Sequence, residues 1–279
     1  MDTRKDPGAA EYVLGHTPSE LQRLALQSQF WGEATFEWLV RAGLGPGMRV
    51  LELGSGGGDV TLLAASLVGT AGSVLGIERS PAAVDAARQR AQAAGVHNVA
   101  FQLGAIDELE LQGPFDALIG RLILLYLPDP AATLATIARR SLNPGAIVSF
   151  MEMDMEGART VPRVPLVTES TGHLVETFRR AGNPIDLGSR LGQVFRAAGF
   201  PEAQLMARTR LQPPPAIEGT NYLAATIRSL LPMMESLGVV RAADMRIDTL
   251  AERWQQALTE ANATLIMPMM VAAWTRLPG

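Results

Sequence analysis

Apolar residues fall in short unbroken runs separated by longer stretches of helical spacing. Val50, Leu51 and Leu53 form the first compact run, the pattern of a strand buried on both faces. Residues 73–77, 98–103, 115–120 and 146–152 repeat it. Helical segments lie between these runs. One covers residues 60–68 and stops at Gly69; a second opens at Ser80-Pro81 and continues, rich in Ala, to Gly95. A third opens at Asp129-Pro130 and reaches about Leu142, before an Asn143-Pro144-Gly145 turn. Ser or Asp followed by Pro is a strong helix start, because the side chain accepts an orphan N–H and Pro needs none. Strands alternating with helices predict an α/β fold with a parallel, doubly wound sheet.

The flanks follow another rhythm. Residues 1–16 have little periodicity and read as an arm. Thr17-Pro18-Ser19-Glu20 is a capping box, followed by Leu21, Leu24, Ala25 and Leu26 at helical spacing. A second helix through Phe36, Trp38, Leu39 and Val40 ends at Gly43, and Gly45-Pro46-Gly47 turns the chain into the first core strand. After Asp154 the sequence predicts a Pro-punctuated loop with a helix near 174–178, a helix over 186–198 and a strand over 204–211. Residues 217–260 read as mostly helical, and 264–275 as a last strand with Pro268 at an edge or a bulge. The organisation expected is a lid of arm and helices over 1–44, a core over 45–153, a cap insert over 154–184, core again over 185–215, a helical cap insert over 216–262 and a last core strand over 263–279.

Composition narrows the function. Of 279 residues 47% are hydrophobic and 19% charged, enough for a packed core and too few charges for a disordered chain. A net charge of −4 argues against nucleic acid as partner, since phosphate neutralisation needs a basic surface. With no cysteine, disulfides, thiolate metal sites and a cysteine nucleophile are excluded. The N-terminus carries no apolar signal segment, and the longest apolar run, over 117–127, is broken by Arg121 and too short to span a bilayer. A cytoplasmic protein acting on a small molecule is expected, with a homodimer left open.

The stretch Arg49-Val-Leu-Glu-Leu-Gly-Ser-Gly-Gly-Gly-Asp-Val60 carries the candidate chemistry. It reads strand, glycine turn, helix, the opening unit of a nucleotide-binding fold. Without Cβ the backbone turns sharply and approaches a ligand closely, and free N–H groups at the helix start face it. Glu78 ends the second strand, placed to accept hydrogen bonds from ribose hydroxyls; the alternative is a solvated acid at a strand end. The glycines do not follow the dinucleotide spacing Gly-x-Gly-x-x-Gly. They read Glu52-x-Gly54-x-Gly56-x-Gly58. An acid before the glycines repels a pyrophosphate and suits a ligand with an ammonium and a sulfonium, S-adenosyl-L-methionine.

The chain resembles class I S-adenosylmethionine-dependent methyltransferases. Residues 50–58 match their first motif, Gly76-Ile77-Glu78-Arg79-Ser80 the second, residues 115–121 the fourth, and Leu142-Asn143-Pro144-Gly145 the turn before the fifth strand. The likeness is strongest over residues 45–152. It is also similar to bacterial small-molecule methyltransferases of secondary metabolism, which open with a segment like Tyr12-Val13-Leu14-Gly15-His16 followed by Glu20-Leu21-Gln22-Arg23-Leu24. The resemblance implies a seven-stranded Rossmann-like sheet with an N-terminal helical arm and helical cap inserts. It implies that Gly54 and Gly56 lie under the methionine moiety, with Ser55 beside them, that Glu52 steadies the ammonium and that Glu78 holds the ribose. Arg79 then flanks the adenine, Arg121 faces the methionine end, and Tyr12 and Gln27 of the N-terminal segment complete the cofactor set. One position departs from the family: the Gly-Asp after the third strand is here Gly104-Ala105. The adenine contact passes to the backbone of Ala105 and Ile106, or to Asp107, which is otherwise a helix cap.

For the acceptor, Glu152 and Asp154 stand at the carboxyl end of the fifth strand, where ligands of open α/β sheets bind. His173, in the first cap insert, is the other candidate base; His16 lies near the cofactor entrance and His97 in a solvated turn. Glu152, Asp154 and Glu156 alternate without a matched His, so no metal is expected. Leu230, Leu231, Met233, Met234 and Leu237 either pack their helix or line a lipophilic acceptor pocket. Methyl transfer to a small lipophilic or aromatic acceptor is the function implied, the alternative being a catalytically degenerate cofactor-binding or regulatory protein.

Overall fold

The computed structural model describes residues 18–106 and 113–279, and for residues 18–22 the backbone only. Tyr12, His16 and Asp107 lie outside the described residues. A long helix, α1 (Pro18–Ala42), precedes the core. Then come β1 (Arg49–Leu53), α2 (Asp59–Val68), β2 (Ser73–Glu78), α3 (Pro81–Ala93), β3 (Val99–Leu103), β4 (Phe115–Arg121), a 3-10 turn at Leu124–Tyr126, α4 (Pro130–Ser141) and β5 (Leu142–Asp154). The remainder is β6 (Arg159–Val161), α5 (Pro165–Arg180), α6 (Leu187–Ala197), β7 (Gln204–Arg208), β8 (Leu211–Gln212), α7 (Ile217–Ser236), α8 (Ala242–Met245), α9 (Leu250–Glu260), β9 (Thr264–Ile266) and β10 (Met269–Arg276). No helix among the described residues is long and apolar enough to cross a membrane.

Seven strands form the main sheet in the order β3-β2-β1-β4-β5-β10-β7. Strands β1 to β5 are parallel, and β10 runs antiparallel to both β5 and β7. The order reverses between β1 and β4, and that switch point opens a crevice at the carboxyl ends of the strands. The predicted caps are in place: Ser80 Oγ accepts the Ala83 N–H at 3.3 Å and Asp129 Oδ1 that of Ala132 at 2.9 Å. Helices α1 and α2 pack together on one face, and α4 and α6 cover the other. Trp38, fully buried on α1, donates from Nε1 to Ser149 Oγ of β5 at 2.6 Å.

Three expectations are corrected. The two N-terminal helices are one helix of 25 residues. Only Gly32 interrupts its helix formers, and a single glycine costs about 1 kcal/mol, less than packing against α2, α7, β5 and β10 supplies. The fifth strand starts at Leu142 rather than after the Asn-Pro-Gly turn, and a register shift opposite Phe115 and Ala117 absorbs that turn. The last strand is two. Pro268 has no N–H for a ladder, so β9 ends before it and β10 begins after it, in different sheets.

That second sheet, β6-β9-β8, is antiparallel and was not expected. It lies against α5, which contacts β6, and α5 in turn packs on α7 and α9. One of its faces is buried, through Thr160, Leu265 and Gln212. Gln212 Oε1 accepts the Gly219 N–H at 2.6 Å and so fastens β8 to the start of α7.

Candidate active site

The carboxyl ends of β1, β2, β4 and β5 open into one cavity of about 480 Å³, within the roughly 300–1,000 Å³ of small-molecule sites. Neighbouring strands are about 4.8 Å apart, so from β2 to β5 the floor runs about 14 Å. Chemistry changes along it in that order.

At the β2 and β3 end lie Glu78, Arg79, Gly104, Ala105 and Ile106. Glu78 accepts the Gly56 N–H at 3.0 Å and the Ser80 N–H at 2.9 Å, which ties the glycine turn to the end of β2. The turn itself has φ of 67° at Gly54, 51° at Gly56 and 82° at Gly58, conformations that favour glycine. A Cβ on Gly54 would meet Ile123 at 2.6 Å, whereas one on Gly56 would find, among the described residues, Leu24 alone at 3.8 Å. Gly54 is thus closed over by the chain and Gly56 stays open toward the cavity. Ser55 Oγ, buried against Gly76, has no hydrogen-bond partner among the described residues.

At the β1 and β4 end, Glu52 and Arg121 stand buried in adjacent strands. Glu52 accepts a short hydrogen bond from Thr61 Oγ1. Burial pushes its carboxyl up to about 7, against the Thr61 bond and the Arg121 charge. Arg121 Nη1 donates to Thr35 Oγ1 of α1 at 2.7 Å; burial lowers its pKa while Asp59 and Glu52 act to hold it charged. Arg23 and Gln27 complete this end from α1, joined by a 2.6 Å hydrogen bond. The start of α2 already holds an acid, because Asp59 pairs there with Arg90 at 2.5 Å. An anion such as a pyrophosphate is therefore disfavoured, and a zwitterionic amino-acid group finds both signs of charge.

At the β5 end the wall turns apolar: Met153, Met155, Leu174, Phe178, Leu223 and Pro268. Glu152 is the ionisable group there, completely buried. Its Oε1 accepts the Ile123 and Leu124 N–H groups at 2.9 and 2.7 Å, and its Oε2 has no partner among the described residues. Burial pushes the carboxyl up to about 8, the two backbone bonds acting the other way.

The sequence-named residues Gln27, Glu52, Gly54, Ser55, Gly56, Glu78, Arg79, Ala105, Ile106, Arg121 and Glu152 come together around this cavity. Two do not. Asp154 is turned away, its Oδ1 accepting the Glu156 N–H at 3.0 Å and its Oδ2 a short bond from Ser189 Oγ; it fixes the end of β5 to α6. His173 sits half-buried on α5 and does not line the cavity, although its neighbours Leu174 and Phe178 do. In the Met-rich stretch of α7, Leu230 and Met234 are fully buried packing residues, and it is Tyr222, Leu223 and Thr226, earlier on that helix, that reach the cavity. Tyr222 stands just before the α7 stretch that the sequence offered as a pocket lining, whereas Thr35, Thr61 and Arg23 were not singled out for the site, since what qualifies them is contact across elements.

A methyltransferase domain model matches residues 44–199, more than half of the chain. The chain belongs to the methyltransferase domain family. It is 32% identical over 214 residues to a ubiquinone biosynthesis O-methyltransferase of Aromatoleum aromaticum, an alignment covering 68% of this chain and 85% of that one. It is 35% identical over 129 residues to a 2-phytyl-1,4-naphtoquinone methyltransferase of Synechococcus elongatus, with 45% and 53% covered. This chain spans about half or less, 35% to 53%, of the length of several curated relatives it matches. A solved phosphoethanolamine N-methyltransferase 2 of Haemonchus contortus, in complex with S-adenosyl-L-methionine, shares the fold, with a TM-score of 0.55, 19% identity and 88% of this chain and 53% of that one covered.

The cofactor of this methyltransferase domain is S-adenosyl-L-methionine, and the residues present fit it. Gly56 leaves open the space a Cβ would fill, and Ser55 Oγ, packed against Gly76, has no hydrogen-bond partner among the described residues. Glu52 and Arg121 offer opposite charges for an ammonium and a carboxylate, and Glu78 keeps lone pairs for ribose hydroxyls.

Proposed function

We propose that this chain transfers a methyl group to a small lipophilic or aromatic acceptor by in-line displacement in the enclosed cavity. The observation that supports it is the apolar wall of Met153, Met155, Leu174, Phe178 and Leu223, which continues the cofactor cradle past β4. When bound, the cofactor supplies an electrophilic sulfonium methyl. The chain's own part is to align and to exclude water. Glu52, Arg121 and Gln27 orient the amino-acid end, Glu78 with the backbone of Ala105 and Ile106 orients the nucleoside, and α5 and α7 roof the acceptor. Of the three side chains the sequence offers for acid–base work, the geometry favours Glu152, which is among the residues lining the cavity where Asp154 and His173 are not. The quinone-linked names of two relatives support a flat, lipophilic acceptor.

Calorimetry with S-adenosyl-L-methionine and its demethylated product should show binding that Gly56→Arg weakens, and a panel of lipophilic aromatic acceptors should yield a methylated product. Heat from neither cofactor form would overturn the reading. Cofactor binding with no methylated product from the panel would favour the degenerate alternative, which Ala105 in place of the family's acid supports.

A further inference from the structure

Three glycines follow one another in the turn after β1: Gly56, Gly57 and Gly58. Chain without Cβ loses more backbone freedom on ordering than any other, so neighbours have to hold this turn in shape. Its first half is held from β2. The Ser55 N–H donates to the Ile77 carbonyl at 2.9 Å, and Glu78 accepts the Gly56 N–H. Its second half is held from α3. Arg90, in the last turn of that helix, donates from Nη1 to the Gly57 carbonyl at 2.6 Å, and its Nη2 lies 2.5 Å from Asp59 Oδ1.

The peptide between Gly57 and Gly58 is therefore pinned at both polar ends. Its N–H goes to the Ser55 carbonyl at 2.8 Å and its C=O to Arg90. The same guanidinium joins the residues on either side of Gly58, whose φ is 82°. A planar fork fixes two groups relative to each other as a point charge does not. Gly57 and Asp59 are buried and line the cavity, whereas Arg90 is not a lining residue and its side chain is 46% exposed. Arg90 thus acts on the cofactor floor from behind. Helix α3 does not depend on it for attachment, because Ala83, Val84, Ala87 and Ala91 supply that helix's buried face. Without the guanidinium, a buried carbonyl and a buried carboxylate would lose a charged donor, which is costly. The peptide could relieve this by turning its oxygen toward the cavity, where the cofactor binds.

We propose that Arg90 is a positioning residue for the cofactor. By fixing the Gly57–Gly58 peptide and the Asp59 carboxylate from outside the cavity, it sets the glycine turn in its binding shape before the cofactor arrives. Ordering a turn in advance removes that cost from binding.

The test uses the whole chain, with the demethylated cofactor product as ligand. Arg88 serves as the control, because it leaves the same helix to donate to the Phe101 carbonyl of β3 at 2.9 Å. Arg90→Met should weaken calorimetric binding about 10-fold, the lower end for a hydrogen bond to a charged group. In the unliganded chain it should speed exchange of the Gly58 N–H about 10-fold, a local opening that bound product reverses. Arg88→Met should leave both near their wild-type values. Arg90→Lys keeps the charge but not the fork and should show both effects in smaller measure, so it decides if Arg90→Met does not fold. Equal losses in Arg88→Met and Arg90→Met overturn the proposal, as does an Arg90 variant with wild-type affinity or wild-type Gly58 exchange. The exchange comparison needs no ligand, so it decides even if the product does not bind, an outcome that counts against the cofactor site instead.

Discussion

Glu78 accepts the Gly56 N–H at 3.0 Å, so the acid at the end of β2 and the glycine turn after β1 are one unit. The same carboxylate holds the Ser80 N–H at the start of α3. A group that orders the floor of a cradle and also faces its occupant contributes to binding twice. Glu78→Ala should weaken binding of the demethylated cofactor product by about 10- to 100-fold, the range for losing one hydrogen bond to a charged group, as measured by calorimetry.

Gly54 and Gly56 separate folding from binding. A Cβ at Gly54 would lie 2.6, 2.8 and 3.1 Å from successive Ile123 carbons, at a φ of 67°. Gly54→Ala should destabilise the fold by about 2–4 kcal/mol, combining strain and overpacking. Gly56→Ala has free space and should cost the fold about 1 kcal/mol, while its methyl group occupies the cavity floor. Denaturant midpoints should fall mainly for the first variant, and cofactor affinity mainly for the second.

Burial of two acids sets a pH dependence of stability. Glu152 and Glu52 are raised from an ordinary value of 4.5 to about 8 and about 7. Between 4.5 and those values the native chain keeps protons that the unfolded chain has released. Stability should therefore fall as pH rises from about 5 to 8 and level off above that. Glu152→Gln removes one of the two groups, so its urea midpoint should decline less steeply over the same window. A midpoint that rises from pH 5 to 8 in the wild type would contradict this.

A guanidinium and two stacked rings brace α1 against α7. The Arg210 guanidinium lies 4.1 Å over the Phe30 ring, and Phe30 stacks on Tyr222 at 5.3 Å and 15°. Arg210 also donates to the Phe30 carbonyl at 3.0 Å and to Glu218. Arg210→Ala should cost about 1–2 kcal/mol and loosen Tyr222, a cavity residue, from behind. Affinity for a lipophilic aromatic acceptor should drop several-fold, with binding of the demethylated cofactor product unchanged.

Local rules made the first half of the core readable. Apolar runs marked β1 to β5, and Ser80-Pro81 and Asp129-Pro130 placed two helix starts. The acids and glycines of the cofactor cradle sit at strand ends, where topology alone brings them together. What was not readable depends on pairing over distance. Thr61 and Thr35 look like ordinary helix residues until Glu52 and Arg121 are seen against them. Strands β6, β8 and β9 are too short for periodicity to register. Glu152 and Asp154 look equivalent, two positions apart on one strand, and only Ser189 on the one side and the Ile123–Leu124 turn on the other divide their roles.

The break at Pro268 has a consequence for altering acceptor preference. Residues 264–276 give β9 to the small sheet and β10 to the main one, with Met267-Pro268 between them and Pro268 at the cavity wall. β9 is the middle strand of its sheet, paired on one side with β6 and on the other with β8. The segments that carry β6 with α5 and β8 with α7 are therefore stitched together by a third piece of chain that is itself anchored beside β5. Transplanting either roof segment alone from a homologue would leave β9 with an unmatched edge. Recombination that changes the acceptor is expected to succeed only when residues 154–184, 211–236 and 264–268 travel as a set.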